Sequence, residues 1–158
     1  MKKVLAMLMA ALMVAAMFTG CSSSKPATET TAAAAAATAG TVKIGMSGPL
    51  TGGASAYGLA VKAGMEVAVE EINAKGGVQF ELRYEDDQND PEKAVNAYNT
   101  LKDWGMQISL GSVTSKPCEV TSGDTFADRI FALTPSASSV ATTEGKDNQF
   151  QMCFPDPN

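Results

Sequence analysis

Small hydroxyl side chains are concentrated in three loops of this sequence. The loops span residues 47–55, 111–115 and 134–139. Hydroxyls and free main-chain N–H groups at the start of a helix can bind an anion such as a carboxylate. Each loop, taken singly, equally suits a flexible connection, a helix cap or a Ser-rich turn. The three loops are the first candidates for a binding site.

Residue types that the sequence lacks exclude several kinds of chemistry. There is no His, which removes Ser-His-Asp and Cys-His catalysis and any His-ligated zinc site. The loop at 47–55 lacks the GxGxxG and GxxxxGK[ST] spacings, which speaks against dinucleotides and nucleoside triphosphates. No nucleophile stands beside an evident general base. The sequence predicts no enzyme and no cofactor.

An acidic cluster is formed by Glu85, Asp86, Asp87 and Asp90. As a metal site it lacks the spacing and the Gly of an EF-hand loop. The pattern favours a solvated loop, with Asp90 capping the helix that follows. No metal site is predicted.

The net charge of residues 42–158 argues against nucleic acid as a partner. This part has nine Lys and Arg residues against sixteen Asp and Glu residues, a net charge of −7. An acidic domain of this kind has little to neutralise phosphate groups.

The loops are positioned by alternating strands and helices. Alternating apolar residues predict a strand at 78–84, and short extended runs predict strands at 42–46, 106–110, 130–133 and 150–154. Helical periodicity predicts helices at 54–75, 90–105 and 117–127, the first with an apolar face of Tyr57, Val61, Met65, Ala68 and Ile72. The alternation predicts an α/β fold, a mostly parallel sheet with helices on both faces. Ligands bind such sheets at the carboxyl ends of the strands, where the three hydroxyl loops would meet.

The N-terminus has the pattern of an exported lipoprotein. Lys2 and Lys3 precede an apolar run at 4–18, which ends in Phe18, Thr19, Gly20 and Cys21. These four residues resemble a bacterial lipobox, with Phe18 where Leu is usual. Cys21 would then be acylated and would anchor the protein to the outer face of the cell membrane. The alternative is a plain secretory signal.

Three segments are therefore expected. Residues 1–20 form the signal peptide, and residues 21–41, rich in Ser, Thr and Ala, form a tether that has too little apolar surface to fold. Residues 42–158 form one globular part, large enough for a single modest core.

Several short motifs follow one another in a specific order along the globular part. They are KIGMSGPLTG at 43–52, AYG at 56–58, EINAKGG at 71–77, YEDD at 84–87, GSVTS at 111–115, TPSAS at 134–138 and DPN at 156–158. Their joint order resembles the branched-chain amino-acid-binding proteins of ABC importers. The resemblance implies the first lobe of a two-lobed type I periplasmic binding fold that closes on its ligand.

The resemblance also implies roles for individual residues. The hydroxyl and N–H of Ser115 would bind the carboxylate of an amino acid, together with the N–H and hydroxyl of Ser138. Ser138, which stands where the family has Thr, would also accept from the ammonium group, and Ser136 would offer its main-chain carbonyl. Tyr57 would line the pocket near the ligand side chain. Thr114, in the same loop as Ser115, is included among the predicted ligand-binding residues.

Two departures from the family accompany this resemblance. The family's first-lobe disulfide would fall at Asn89 and Thr114, which are not Cys. The family also needs a second lobe, and the sequence ends in a Pro-Asp-Pro-Asn segment where the chain would enter it. The expectation is an N-terminal fragment.

The function implied by the resemblance is that of a solute-binding lipoprotein. It would capture an amino acid, of branched-chain type or a related amide, and deliver it to an ABC transporter permease. The alternative is the extracellular ligand-sensing domain of a receptor, which the lipobox disfavours because such domains are usually fused to a transmembrane helix.

Cys118 and Cys153 raise the question of a disulfide. Both are expected near the carboxyl ends of parallel strands, in a compartment where disulfides persist. The sequence leaves two alternatives open, a bridge between them or two separate reduced thiols.

Overall fold

The computed structural model describes residues 40–157, which form five strands and three α-helices in alternation. The strands are β1 Val42–Gly48, β2 Phe80–Asp86, β3 Ile108–Ser109, β4 Phe131–Thr134 and β5 Gln149–Gln151. The helices are α1 Ser55–Ala74, α2 Pro91–Asp103 and α3 Ser115–Ala127, with a 3₁₀ turn at Val140–Thr142. The predicted signal peptide, Cys21 and nearly all of the predicted tether lie outside the described residues.

The five strands form one parallel sheet in the order β2-β1-β3-β4-β5. Ile44 of β1 pairs with Ile108 of β3, which pairs with Phe131 of β4. Residues paired in this way point to the same face of a parallel sheet. The predicted α/β class and the parallel sheet are therefore confirmed.

The strand order places helices on both faces of the sheet. Across the sheet, the chain moves from β1 to β2 in one direction, and from β2 to β3 and from β3 to β4 in the other. Because βαβ crossovers are right-handed, α1 lies on one face, and α2 and α3 lie on the other. A hydrogen bond of 2.8 Å from the Tyr98 hydroxyl of α2 to Asp128, just after α3, joins the two neighbouring helices.

Local sequence signals explain where the helices begin. The Asp90 side chain accepts a hydrogen bond of 2.9 Å from the N–H of Lys93 and caps α2, as predicted, with Pro91 at its first position.

Helix α1 packs against the loop after β1 at Gly58, where any side chain would overlap the Pro49 carbonyl oxygen. Gly58 therefore sets how closely Tyr57 approaches that loop.

Three element bounds differ from the prediction. Strand β2 begins at Phe80 rather than Val78, because the Asn73 side chain binds the main-chain N–H and carbonyl of Phe80 and ends the turn there. Helix α3 begins at Ser115 rather than Pro117. Strand β5 ends at Gln151, so the extended segment predicted to continue to Phe154 is shorter.

Apolar side chains fill both sides of the sheet. Beneath α1 the core contains Ile44, Met46, Met65 and Val113. Beneath α2 it contains Tyr98, Leu101 and Met106, with Trp104 packed at its border. Trp104 lies near the amino ends of the strands, where its carbonyl accepts a 2.9 Å hydrogen bond from Lys43 Nζ and its ring lies 5.0 Å from the same atom.

The face that carries α1 is only partly covered within residues 40–157. The apolar face predicted for α1 is buried at Met65, yet Tyr57 and Ile72 are exposed because no second helix among the described residues packs beside α1. Phe131 and Phe150 stack with ring centroids 5.2 Å apart, each 46% exposed. An apolar groove of about 380 Å³ separates α1 from Leu110, Leu133 and Met152.

No helix within residues 40–157 has the length and apolar character needed to cross a membrane.

Candidate ligand-binding site

Ser115 and Ser138 meet at the carboxyl end of the sheet. Ser115 is the first residue of α3, after β3, and Ser138 lies in the loop after β4. The hydroxyl oxygen of Ser115 accepts hydrogen bonds from the main-chain N–H groups of Ser138, at 3.1 Å, and Ser139, at 3.4 Å. Both serines are half-buried. Two of the residues predicted to bind one carboxylate therefore lie side by side.

The side chain of the N-cap residue of α3 does not cap the helix but binds another loop. Thr114 is the N-cap residue, but its hydroxyl donates to Asn89 Oδ1 at 2.7 Å. Pro117, at the third helical position, has no N–H for an N-cap oxygen to accept. The first turn of α3 therefore has no side-chain cap, which leaves the positive end of its helix dipole available to an anion.

A cavity of about 300 Å³ lies between α1 and Ser136, which precedes Ser138 by two residues in the loop after β4. It is lined by Ala56, Tyr57, Ala60, Val61 and Ser136. Tyr57 is 60% exposed at the mouth of the cavity. The hydroxyl of Ser136 donates to the Val113 carbonyl at 2.8 Å, so it ties the loop after β4 to the loop after β3. The cavity wall is therefore almost entirely apolar.

A network of buried hydroxyl groups at the strand ends connects the three loops. The Ser47 and Ser112 hydroxyls lie 2.7 Å apart, and the Ser112 and Thr121 hydroxyls 3.0 Å apart. The Thr134 hydroxyl donates to the Ser112 carbonyl at 2.8 Å and accepts from the Ala137 N–H at 3.2 Å. Sequence analysis did not single out Ser112 or Thr134, although both lie inside the hydroxyl loops. A hydroxyl residue at the end of an otherwise apolar strand is the sequence signal from which both could have been predicted.

The prediction of a solvated acidic loop is wrong for Asp86 and Asp87. Asp86 accepts hydrogen bonds from the N–H groups of Leu50 and Thr51 and from the Thr51 hydroxyl, and so fixes the loop after β1. Although partial burial opposes it, these bonds lower the pKa of Asp86. They act together with the N–H of Gln88, which also donates to this carboxylate.

Asp87 is fully buried. Its Oδ1 accepts a 2.8 Å hydrogen bond from the Asn89 N–H, and its Oδ2 has no partner among residues 40–157. Burial raises the pKa of Asp87 to about 6, reinforced by the neighbouring Asp86 and Asp90 and opposed by the Asn89 hydrogen bond. The acidic loop is thus a structural support of the site rather than a solvated turn.

Comparison with known proteins places this geometry in a family. A family model described as periplasmic binding protein matches residues 41–158. The chain belongs to the periplasmic binding protein family. The predicted resemblance is therefore confirmed at the level of the family and its fold.

Two relatives share this part of the sequence. A Leu/Ile/Val-binding protein homolog 3 of Brucella melitensis is 34% identical over 116 residues, which cover 71% of this chain and 32% of that protein. A leucine-, isoleucine-, valine-, threonine-, and alanine-binding protein of Pseudomonas aeruginosa is 36% identical over 109 residues, covering 66% of this chain and 29% of the relative.

Solved structures of other periplasmic binding proteins share the fold. The branched-chain amino acid transporter substrate binding protein LivJ from Streptococcus pneumoniae, in complex with isoleucine, superposes with a TM-score of 0.69 at 28% identity. That match covers 73% of this chain and 34% of LivJ. The leucine binding protein LivK from Thermotoga maritima gives a TM-score of 0.67 at 27% identity. The chain spans about one third of the length of the relatives it matches.

Cys118 and Cys153, the two cysteines within residues 40–157 of this periplasmic binding protein chain, are both free, so the bridge between them is not formed. Cys118 is buried in the first turn of α3, where Gln149 Nε2 approaches its Sγ at 3.6 Å. Cys153 lies beyond β5 and donates to the Ala137 carbonyl at 3.2 Å. The two side chains thus bond to different neighbours. Burial raises the pKa of Cys118 to about 11, which keeps it a thiol.

Among residues 40–157 no group of three or more His, Cys, Asp or Glu side chains is arranged to hold a metal ion.

Proposed function

We propose that this chain forms part of the ligand-binding lobe of an extracytoplasmic solute-binding protein that captures an amino acid with an apolar side chain. One observation carries the proposal: the Ser115 hydroxyl and the Ser138 N–H converge at the start of α3, and Ser136 of the same loop as Ser138 lines a cavity with apolar walls. The family supports it, because the relatives named above are branched-chain amino-acid-binding proteins.

The carboxylate of the ligand would bind between Ser115 and Ser138. A carboxylate oxygen can accept from both hydroxyls and from the Ser138 N–H, which otherwise donates to Ser115. The first turn of α3 adds its dipole to the attraction. The Ser136 hydroxyl is already bound to Val113, so Ser136 would use its main-chain carbonyl to accept from the ammonium group.

The ligand side chain would occupy the apolar cavity. Its volume of about 300 Å³ suits a small ligand, and its lining has no charged residue. Tyr57 at the mouth would contact the end of the side chain. An aliphatic amino acid of the leucine, isoleucine and valine class therefore fits the lining best.

Calorimetry of the full-length protein with L-leucine tests this assignment. Each hydroxyl makes a charge-assisted contact that contributes about 1.5–3 kcal/mol, so Ser115→Ala and Ser138→Ala should each weaken binding about 10- to 150-fold. Ser139→Ala is the matched control, since its hydroxyl is not assigned to the ligand. Unchanged affinity in both Ser115→Ala and Ser138→Ala would refute the carboxylate site. Tyr57→Ala should instead change the preference among leucine, isoleucine and valine.

Delivery to an ABC transporter permease and anchoring through Cys21 complete the proposal. Deleting the gene should abolish uptake of labelled leucine, and the wild-type gene should restore it. Mass spectrometry of protein extracted from membranes should find a diacylglyceryl group on an N-terminal Cys21. Protein cleaved elsewhere, with Cys21 unmodified, would refute the anchor and leave the binding role intact.

A further inference from the structure

A side-chain hydrogen bond ties the loop after β2 to the start of α3. The Thr114 hydroxyl donates to Asn89 Oδ1 at 2.7 Å, across 25 residues of sequence. Asn89 adopts a left-handed conformation with φ of 61°, which Asn tolerates better than most residues. Its side chain therefore reaches α3 from a loop on the far side of β1.

Asp87 fixes that loop. Its N–H donates to the Gly48 carbonyl at the end of β1, and its carbonyl accepts from the Asp90 N–H at the start of α2. Its buried Oδ1 accepts from the Asn89 N–H at 2.8 Å. Asn89 is thus held by the ends of β1 and β2, which gives Thr114 a rigid partner.

Thr114 depends on this partner because Pro117 removes the N–H that an N-cap hydroxyl most often binds in the third helical position. The residue next to Thr114 is Ser115, whose hydroxyl lies 3.1 Å from the Ser138 N–H. A shift of Thr114 would move Ser115 relative to Ser138, and a misplaced polar contact loses much of its strength.

We propose that Asn89 is a positioning residue for the ligand-binding site, acting through Thr114 to place the hydroxyl of Ser115 against the ligand carboxylate. The proposal rests on the proposed function. In this role, the hydrogen bond between Thr114 and Asn89 keeps the start of α3 in a fixed position relative to the loop after β4.

Two substitutions remove the bond with little other change. Thr114→Val keeps the shape of the side chain and removes the hydroxyl. Asn89→Gly keeps the left-handed backbone and its N–H to Asp87, and removes the acceptor. Each should weaken L-leucine binding by the full-length protein about fivefold, the size expected for one neutral hydrogen bond. The conservative variant Thr114→Ser should retain the wild-type affinity.

A double-mutant cycle separates positioning from general loosening. In a Ser115→Ala background, Thr114→Val should have no further effect on leucine affinity, because the hydroxyl that it positions is gone. An equal loss with and without the Ser115 hydroxyl, or wild-type affinity in both Thr114→Val and Asn89→Gly, would overturn the positioning role. Failure of the wild-type protein to bind leucine would instead overturn the proposed function, and the positioning role with it.

Discussion

The two ends of one sheet face differ in what covers them. At β1, Met46 is 0% exposed beneath α1, whereas at the other end Phe150 is 46% and Met152 70% exposed. Strand pairing places Leu133 beside Phe150 on this face, and Leu110 and Leu133 line the groove next to α1. The same alternating apolar pattern therefore gives a buried core at one end and an open apolar surface at the other.

This difference shows that an apolar residue type does not by itself tell how much a side chain contributes to stability. An apolar side chain stabilises a fold only by the area that folding removes from water. Met46 and Met152 are the same residue type on one sheet, yet only Met46 is covered by the described residues. Substitutions at the two ends measure this contrast directly.

Met46→Ala should have the largest effect. It removes a fully buried side chain from the core beneath α1, and such substitutions cost about 2–5 kcal/mol. Chemical denaturation of wild-type and variant protein gives the difference in the free energy of unfolding. A cost below about 0.5 kcal/mol would mean that α1 does not cover this end of the sheet as described.

Thr134→Val tests the other face of β4, opposite to Leu133, where the buried side chain is polar rather than apolar. The change leaves the volume nearly constant but removes the hydroxyl that bonds to the Ser112 carbonyl and the Ala137 N–H. The buried partners then lack a hydrogen bond, which costs about 1–3 kcal/mol. A variant as stable as wild type in the same denaturation experiment would show that these bonds are replaced. Thr143→Val, at a half-buried threonine whose hydroxyl makes a long 3.5 Å contact with the Val140 carbonyl, is the control.

Asp87 should make stability depend on pH. Its folded pKa of about 6 lies above the usual 3.8, so the folded state disfavours the ionised form. The stability associated with the protonated carboxyl is complete below about pH 4 and is lost as pH rises through about 6. Relative to Asp87→Asn, which does not titrate here, the free energy of unfolding of wild type should rise as pH falls from 7 to 4. A constant difference across this range would contradict the raised pKa.

Met152→Ala should have the smallest effect. The side chain is mostly exposed, and substitutions at such positions usually change stability by less than about 0.5 kcal/mol. Paired with Met46→Ala in one denaturation series, it gives the contrast between the two ends of the face. A large cost in the full-length protein would show that chain beyond the described residues covers Met152.

The order of elements could be predicted from sequence because periodicity and caps are local. Asp90 and Pro91 mark the start of α2, and the strand runs mark the sheet. The coverage of Ile72 could not be predicted, since it depends on what packs beside α1. Likewise, the motif at 84–87 indicates the family but not that Asp87 is buried, because burial follows from how the loop folds back on Gly48.

The candidate site divides in the same way. The loops of Ser115 and Ser138 were predicted to meet, because both follow parallel strands, and the structure brings them within hydrogen-bond distance. Their assignment to a ligand carboxylate stays a prediction. The resemblance implied that Asn89 and Thr114 are neighbours, since the family's first-lobe disulfide would fall there. The hydrogen bond that joins them was not predicted, because their residue types alone suggest only turn and cap.

Trp104 gives the protein a built-in optical reporter. It is the only tryptophan in the sequence, and it lies at the amino ends of the strands against Lys43, away from the loops of Ser115 and Ser138. Excitation at the red edge of protein absorbance, where tryptophan dominates emission, would follow the packing of α2 on the sheet. The emission of Trp104 should therefore change when the lobe unfolds, and it reports the end of the sheet that lies away from the candidate site.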